Sequence, residues 1–125
     1  AKFGIKICEL ETSKVYLFKE QSHPGRCIVA HKKHVGDMNE LTAEERAAYF
    51  EDVARVARAI MKAFNPDKVN YGAYGDTGHH LHFHLVPKYT DEYEWGGTFE
   101  MNPGKKFLSN EEYAQMIEKI KAELV

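Results

Sequence analysis

Only two cysteines, Cys8 and Cys27, occur in the 125 residues. That is too few for a disulfide framework, so a reducing cytoplasm is the expected setting. No apolar run approaches the roughly 20 residues of a membrane helix, so no membrane partner is expected. The opening "AKFGIKICEL" is too short and too polar for the core of a secretion signal. Basic residues are not in surplus: 17 Lys and Arg face 19 Asp and Glu, for a net charge of −2. Bulk nucleic acid would therefore meet no attracting field, and any nucleotide must be held by a local site. No segment matches GxxxxGK[ST], which excludes a kinase- or GTPase-type phosphate loop. No repeat, low-complexity tract or linker divides the chain, so residues 1–125 read as one domain.

What the chain has in excess is histidine. Four of its seven fall within six positions of "GDTGHHLHFHLVPK", residues 75–88: His79, His80, His82 and His84. The last three alternate with Leu81, Phe83 and Leu85. In a strand, alternate side chains share a face, so His80, His82 and His84 are expected on one side and the three apolar residues in the core. A one-residue slip would bury all three imidazoles, which fixes the register. His79 reads as a surface residue at the strand end.

Around this strand the pattern is that of an α+β domain on an antiparallel sheet. Val15 to Phe18 and Arg26 to Ala30 read as two strands joined by the turn Ser22 to Gly25. Thr42 and Glu45 form a capping box that opens a helix with one apolar stripe, and Asn65-Pro66 ends it. "KVNYGAYG" reads as a strand fraying into a glycine loop. Residues 89–125 form a C-terminal extension: a loop from Tyr89 to Lys106 without periodicity, then a helix opened by a second box, Ser109 with Glu112.

Three histidines along a strand span too much length to meet at one metal ion. Two of them could share a zinc if another strand supplied a ligand. A row of imidazoles suits an extended anion such as a phosphate chain, with the central ring facing the reacting phosphorus. Gly72, Gly75 and Gly78 precede the row, where backbone N–H groups can form an anion nest, and Thr77 adds a hydroxyl. No acid cluster suited to Mg²⁺ is evident, which points to covalent catalysis on phosphorus.

"HLHFHLV", His80 to Val86, resembles the histidine-triad signature, in which three histidines alternate with apolar residues. "PGRCIVAHKKHV", residues 24–35, is similar to the family's proline-glycine strand and the lysine-lysine-histidine that follows. "NELTAEE" is similar to the opening of the family's long helix. The resemblance runs from about Val15 to Tyr89 and is closest to bacterial-type members, with a longer C-terminal tail. It implies a HIT-like fold, an antiparallel sheet with one long helix packed on it and a C-terminal helix, dimerising by joining sheets. It implies a purine nucleotide substrate, either a dinucleoside polyphosphate or a nucleoside phosphoramidate, and no required cofactor. His82 would be the nucleophile on the α-phosphate, its other ring nitrogen donating to a backbone carbonyl. His80 and His84 would stabilise the phosphoryl oxygens, with Asn70, Gly75, Thr77 and His34 binding substrate. "FKEQ", residues 18–21, would flank the nucleoside.

The sequence departs from the family at Arg26, where histidine is frequent after Pro-Gly. It departs again at Asp76, where Gln is frequent, and at Lys88, where some members have Arg. A carboxylate at position 76 would repel phosphate unless turned away, so a nucleotide-binding module with little turnover is one alternative. Some members hold a structural zinc through a Cys-x-x-Cys pair and two histidines. Here Glu11 stands in place of the second cysteine, so a zinc on Cys8, Glu11, His34 and His80 is the other alternative.

Overall fold

The computed structural model describes residues 2–125. Five strands, β1 (Gly4–Glu9), β2 (Ser13–Phe18), β3 (Cys27–His31), β4 (Lys68–Gly72) and β5 (His82–Lys88), form one sheet in the order β1-β2-β3-β5-β4. Every neighbouring pair is antiparallel. The α+β architecture read from the sequence is the one observed. β1 is a strand beyond those expected from the sequence, although Ile5 and Ile7 carry the alternation of one. Its register on β2 shifts between Lys6 and Cys8, a bulge that interrupts that alternation.

The period-two pattern divides the sheet into two faces. Val15 and Leu17 of β2, Cys27 and Val29 of β3 and Leu85 of β5 are fully buried on one face. They pack against Tyr49, Val53, Val56 and Ile60 of α1 (Ala43–Phe64). Burial of each such aliphatic side chain is worth about 1.5–3 kcal/mol. Both halves of the Thr42/Glu45 capping box are formed, and Asn65 closes α1 in the left-handed conformation. The second helix, α2 (Asn110–Leu124), opens with the Ser109/Glu112 box and lies against α1. Its Tyr113 hydroxyl donates to the Lys19 carbonyl at 2.7 Å. No helix among the described residues is long and apolar enough to cross a membrane.

The other face carries the histidines. Cross-strand partners point the same way, and His84 pairs with Ile28 and His82 with Ala30, while Ile28 pairs with Tyr16. This face is partly roofed by the segment between β5 and α2, which the sequence left as an aperiodic loop. Buried charged side chains of the sheet and its turns hold that strap by its backbone. The Lys88 ammonium donates to the Glu94 and Gly97 carbonyls, both at 2.7 Å. The Glu20 carboxylate accepts from the Lys105 and Lys106 amides at 2.6 and 2.9 Å. Arg26 donates to the Glu100 and Met101 carbonyls at 3.2 and 3.0 Å. The strap has turns of its own, closed by the Glu92, Trp95 and Gly97 amides, but no helix or strand, and much of its order comes from these outside anchors.

Candidate functional site

The β5 ladder begins at His82, two residues later than the alternation implies. His80 lies in the preceding bend, where Leu81 still bridges to neighbouring chain through the His31 amide and the Val35 carbonyl. Leu81 is buried as expected, and Phe83 packs against Tyr49 and Phe50. All three triad rings still border one cavity of about 520 Å³, within the size range of small-molecule sites. Tyr16, Phe18 and Ile28 give it an apolar floor, and Met101 and Asn102 of the strap form an outer wall. Lys14 and Lys32 border it and no carboxylate does, so its polarity favours an anion.

Hydrogen bonds assign the proton on each imidazole. His82 Nδ1 lies 2.8 Å from the His80 carbonyl. A carbonyl only accepts, so the proton is on Nδ1 and Nε2 keeps its lone pair. The bond expected of a nucleophilic histidine is therefore present. His80 Nε2 donates to the His31 carbonyl, and its ring packs edge-on against His34. His84 is reversed: its Nδ1 lies 3.0 Å from an Arg26 NH2 group, which can only donate, so Nδ1 accepts and the proton is on Nε2. The His82 and His84 ring centroids are 5.3 Å apart. Burial, then the Arg26 cation, then His82 pull the His84 pKa down to about 3, so this ring is neutral.

Arg26 is the functional neighbour whose contacts the sequence did not reveal, although its departure from the family pattern marked the position. It is completely buried, with its guanidinium 4.0 Å above the Phe18 ring and 5.0 Å from Phe99. Burial lowers its pKa to about 10, which leaves it charged at neutral pH. Gly72 permits this packing, since a Cβ there would lie 2.7 Å from the Phe99 ring.

The remaining residues divide into those near the triad and those elsewhere. Thr77 borders the triad cavity, while Gly75 borders an adjoining recess shared with His80 and His82. Gly72, Gly75 and Gly78 do not have positive φ, so the left-handed geometry of an anion nest is not formed there. Asn70 lies on β4 opposite Val86, on the histidine face but outside the cavity. Asp76 is exposed and likewise outside the cavity lining. Of residues 18–21, only Phe18 borders the cavity. Gln21 is buried and braces the turn by donating to the Phe18 and Arg26 carbonyls. His79 is exposed, as expected.

Of the suggested zinc ligands only His34 and His80 are seen in contact. Cys8 pairs with Val15 on β1, Glu11 borders a surface groove with Thr12 and Lys33, and His34 touches His80. Among the described residues no three His, Cys, Asp or Glu side chains converge as a metal site requires. The donor set does not fit a structural zinc.

Comparison with known proteins places this geometry among relatives. The HIT domain profile matches residues 5–91. The chain is 28% identical over 127 residues to adenosine 5'-monophosphoramidase hnt1 of Schizosaccharomyces pombe, an alignment covering 96% of this chain and 88% of that protein. It is 32% identical over 89 residues to the protein hit of Bacillus subtilis, covering 67% of this chain and 61% of that protein. A crystal structure of a histidine triad (HIT) protein from Sinorhizobium meliloti superposes with a TM-score of 0.91 at 23% identity, over 98% of this chain and 91% of that one.

Proposed function

The chain belongs to the HIT domain family, and on that premise we propose that it is a nucleotide hydrolase or transferase with His82 as covalent nucleophile. The observation that carries the reading is the His82 Nδ1–H bond to the His80 carbonyl, which leaves Nε2 as a lone pair in an anion-favouring cavity. Nε2 forms a bond to the α-phosphorus as the bond to the leaving group breaks; a leaving amine takes up one proton from solvent, which the water of the second step returns, and a leaving phosphate needs none. Water then attacks the phosphorus, the N–P bond breaks, and a nucleoside monophosphate leaves with His82 neutral again. His84, with its proton on Nε2, supplies a donor to a non-bridging phosphoryl oxygen. The apolar floor of Tyr16, Phe18 and Ile28 receives the base. A nucleoside phosphoramidate is the favoured substrate class, in keeping with the name of the Schizosaccharomyces pombe relative.

The test is intact-protein mass spectrometry after rapid, acid-free quenching with adenosine phosphoramidate or a diadenosine polyphosphate. Wild type is expected to gain one nucleoside monophosphate and His82→Ala none, with product released only by wild type. Bound nucleotide with neither adduct nor product in wild type would replace the enzyme with a binding module.

A further inference from the structure

A fully buried arginine is costly, and the acceptors that Arg26 meets are all uncharged: two backbone carbonyls, one imidazole and the Met101 sulfur. Its Nε is buried without a hydrogen-bond partner. A group selected for stability alone would not leave a buried N–H unsatisfied, and violations of this kind concentrate where function requires them. Among its contacts, the one with chemical consequence is the imidazole.

We propose that Arg26 is the positioning residue of the triad, holding His84 in the Nε2–H tautomer by donating to His84 Nδ1. This role rests on the reaction assigned above to His82; the tautomer itself does not. A neutral imidazole has one proton and two nitrogens, and its intrinsic bias towards Nε2–H is small enough that the hydrogen bond made by the other nitrogen decides the tautomer. An arginine in this position removes the choice, because it has five N–H donors and no acceptor. A histidine here would itself have two tautomers and a proton that titrates near neutral pH, whereas the guanidinium stays charged there. Its aim is fixed from two sides, by the Phe18 and Phe99 rings and by the carbonyls of Glu100 and Met101. His84 stacks edge-on against Phe18, so ring and guanidinium share one support. The other ring nitrogen, Nε2, has no hydrogen-bond partner among the described residues. That leaves its N–H free for a phosphoryl oxygen.

The experiment is long-range ¹H–¹⁵N correlation spectroscopy of the protein carrying ¹⁵N-labelled histidine, at neutral pH and without substrate. Wild type should show His84 neutral with its proton on Nε2. Arg26→Met, which keeps bulk and removes every donor, should give His84 a mixture of tautomers. It should also lower kcat for nucleotide cleavage about 100-fold, the scale on which one phosphoryl-oxygen donor is lost, with KM little changed. Arg26→Lys keeps a charged donor and should restore both the Nε2–H signature and most of the rate. A wild-type His84 with its proton on Nδ1 would overturn the proposal, and that reading requires no variant to fold. So would an Arg26→Met protein that keeps the Nε2–H signature while losing activity, since Arg26 would then be scaffolding only. A wild type with the Nε2–H tautomer that cleaves no nucleotide would support the Arg26–His84 assignment and refute the reaction assigned to His82.

Discussion

Replacing Glu20 by Ala should detach the strap near residues 105–106 while the sheet stays folded. Glu20 is 5% exposed and accepts four hydrogen bonds: from the Ser22 amide at 2.9 Å, the Ser22 hydroxyl at 2.7 Å, and the Lys105 and Lys106 amides at 2.6 and 2.9 Å. Hydrogen bonds to a charged group contribute about 1.5–3 kcal/mol each, but these four share one carboxylate and the freed strap amides can take water. A net local loss of about 3 kcal/mol follows, or about a 100-fold faster exchange of the Lys105 and Lys106 amides. The same contact has a pH signature. Burial pushes the Glu20 pKa up, but the backbone donors of Ser22, Lys106 and Lys105 outweigh it and hold the group below its ordinary value. A depressed carboxyl pKa contributes stability fully above the unfolded value of about 4.3, and loses it as pH falls through the folded value. Wild-type strap amides should therefore lose protection in acid, below about pH 4, after correction for intrinsic exchange. Glu20→Ala should lack that acid transition. The assay is hydrogen exchange read by mass spectrometry or NMR. Unchanged protection of Lys105 and Lys106 in Glu20→Ala would refute the reasoning.

Other consequences can be checked by urea or thermal unfolding. Asp52→Ala removes one carboxylate oxygen that accepts from the Thr12 amide, the Thr12 hydroxyl and the Ser13 hydroxyl at 2.7–2.9 Å. It should cost about 3 kcal/mol, and Asp52→Asn, which can retain an acceptor, about half as much. Gly25 has φ of 95°, and a Cβ there would lie 2.7 Å from the Phe64 ring, so Gly25→Ala should destabilise by about 2 kcal/mol. His84, with a folded pKa of about 3 against about 6.5 unfolded, binds fewer protons folded than unfolded between those values. Its contribution is intact above about pH 6.5 and declines as pH falls towards the folded value. A His84→Asn protein should accordingly show a shallower loss of stability over that interval; equal slopes would contradict the assigned state of His84.

Much of this molecule was legible in its residue order where the physics is local. The capping boxes at Thr42 and Ser109, and the left-handed stop at Asn65, depend on residues three or four apart; both helices begin, and the first ends, where those signals fall. The apolar partners of the histidine row predicted its face because strand alternation is also local. The onset of β5 was not legible, because it depends on where β3 stops offering partners. Residues 89–108 have no periodic signal because they form no helix or strand, and much of their path is held by Glu20, Arg26 and Lys88, 6 to 86 positions from the groups they bind. Arg26 itself read as a departure from a motif. Its contact with His84, 58 residues on, needed the fold.

The way the strap is anchored has a consequence for how this protein can change. Glu20, Arg26 and Lys88 grip amides and carbonyls, which every non-proline residue possesses. At Gly97, Lys105 and Lys106 the grip is on backbone alone, whereas Glu94, Phe99 and Met101 of the strap also contribute side chains, to His23 and to Arg26. Met101 and Asn102 face the cavity from that path; the Met101 sulfur also accepts from Arg26, so it is substitution at Asn102 that exchanges the surface offered to a ligand without removing an anchoring contact. The surface offered to a ligand is in this way open to change at Asn102, by selection in nature or in the laboratory, while the histidine row and its Arg26 support stay as they are.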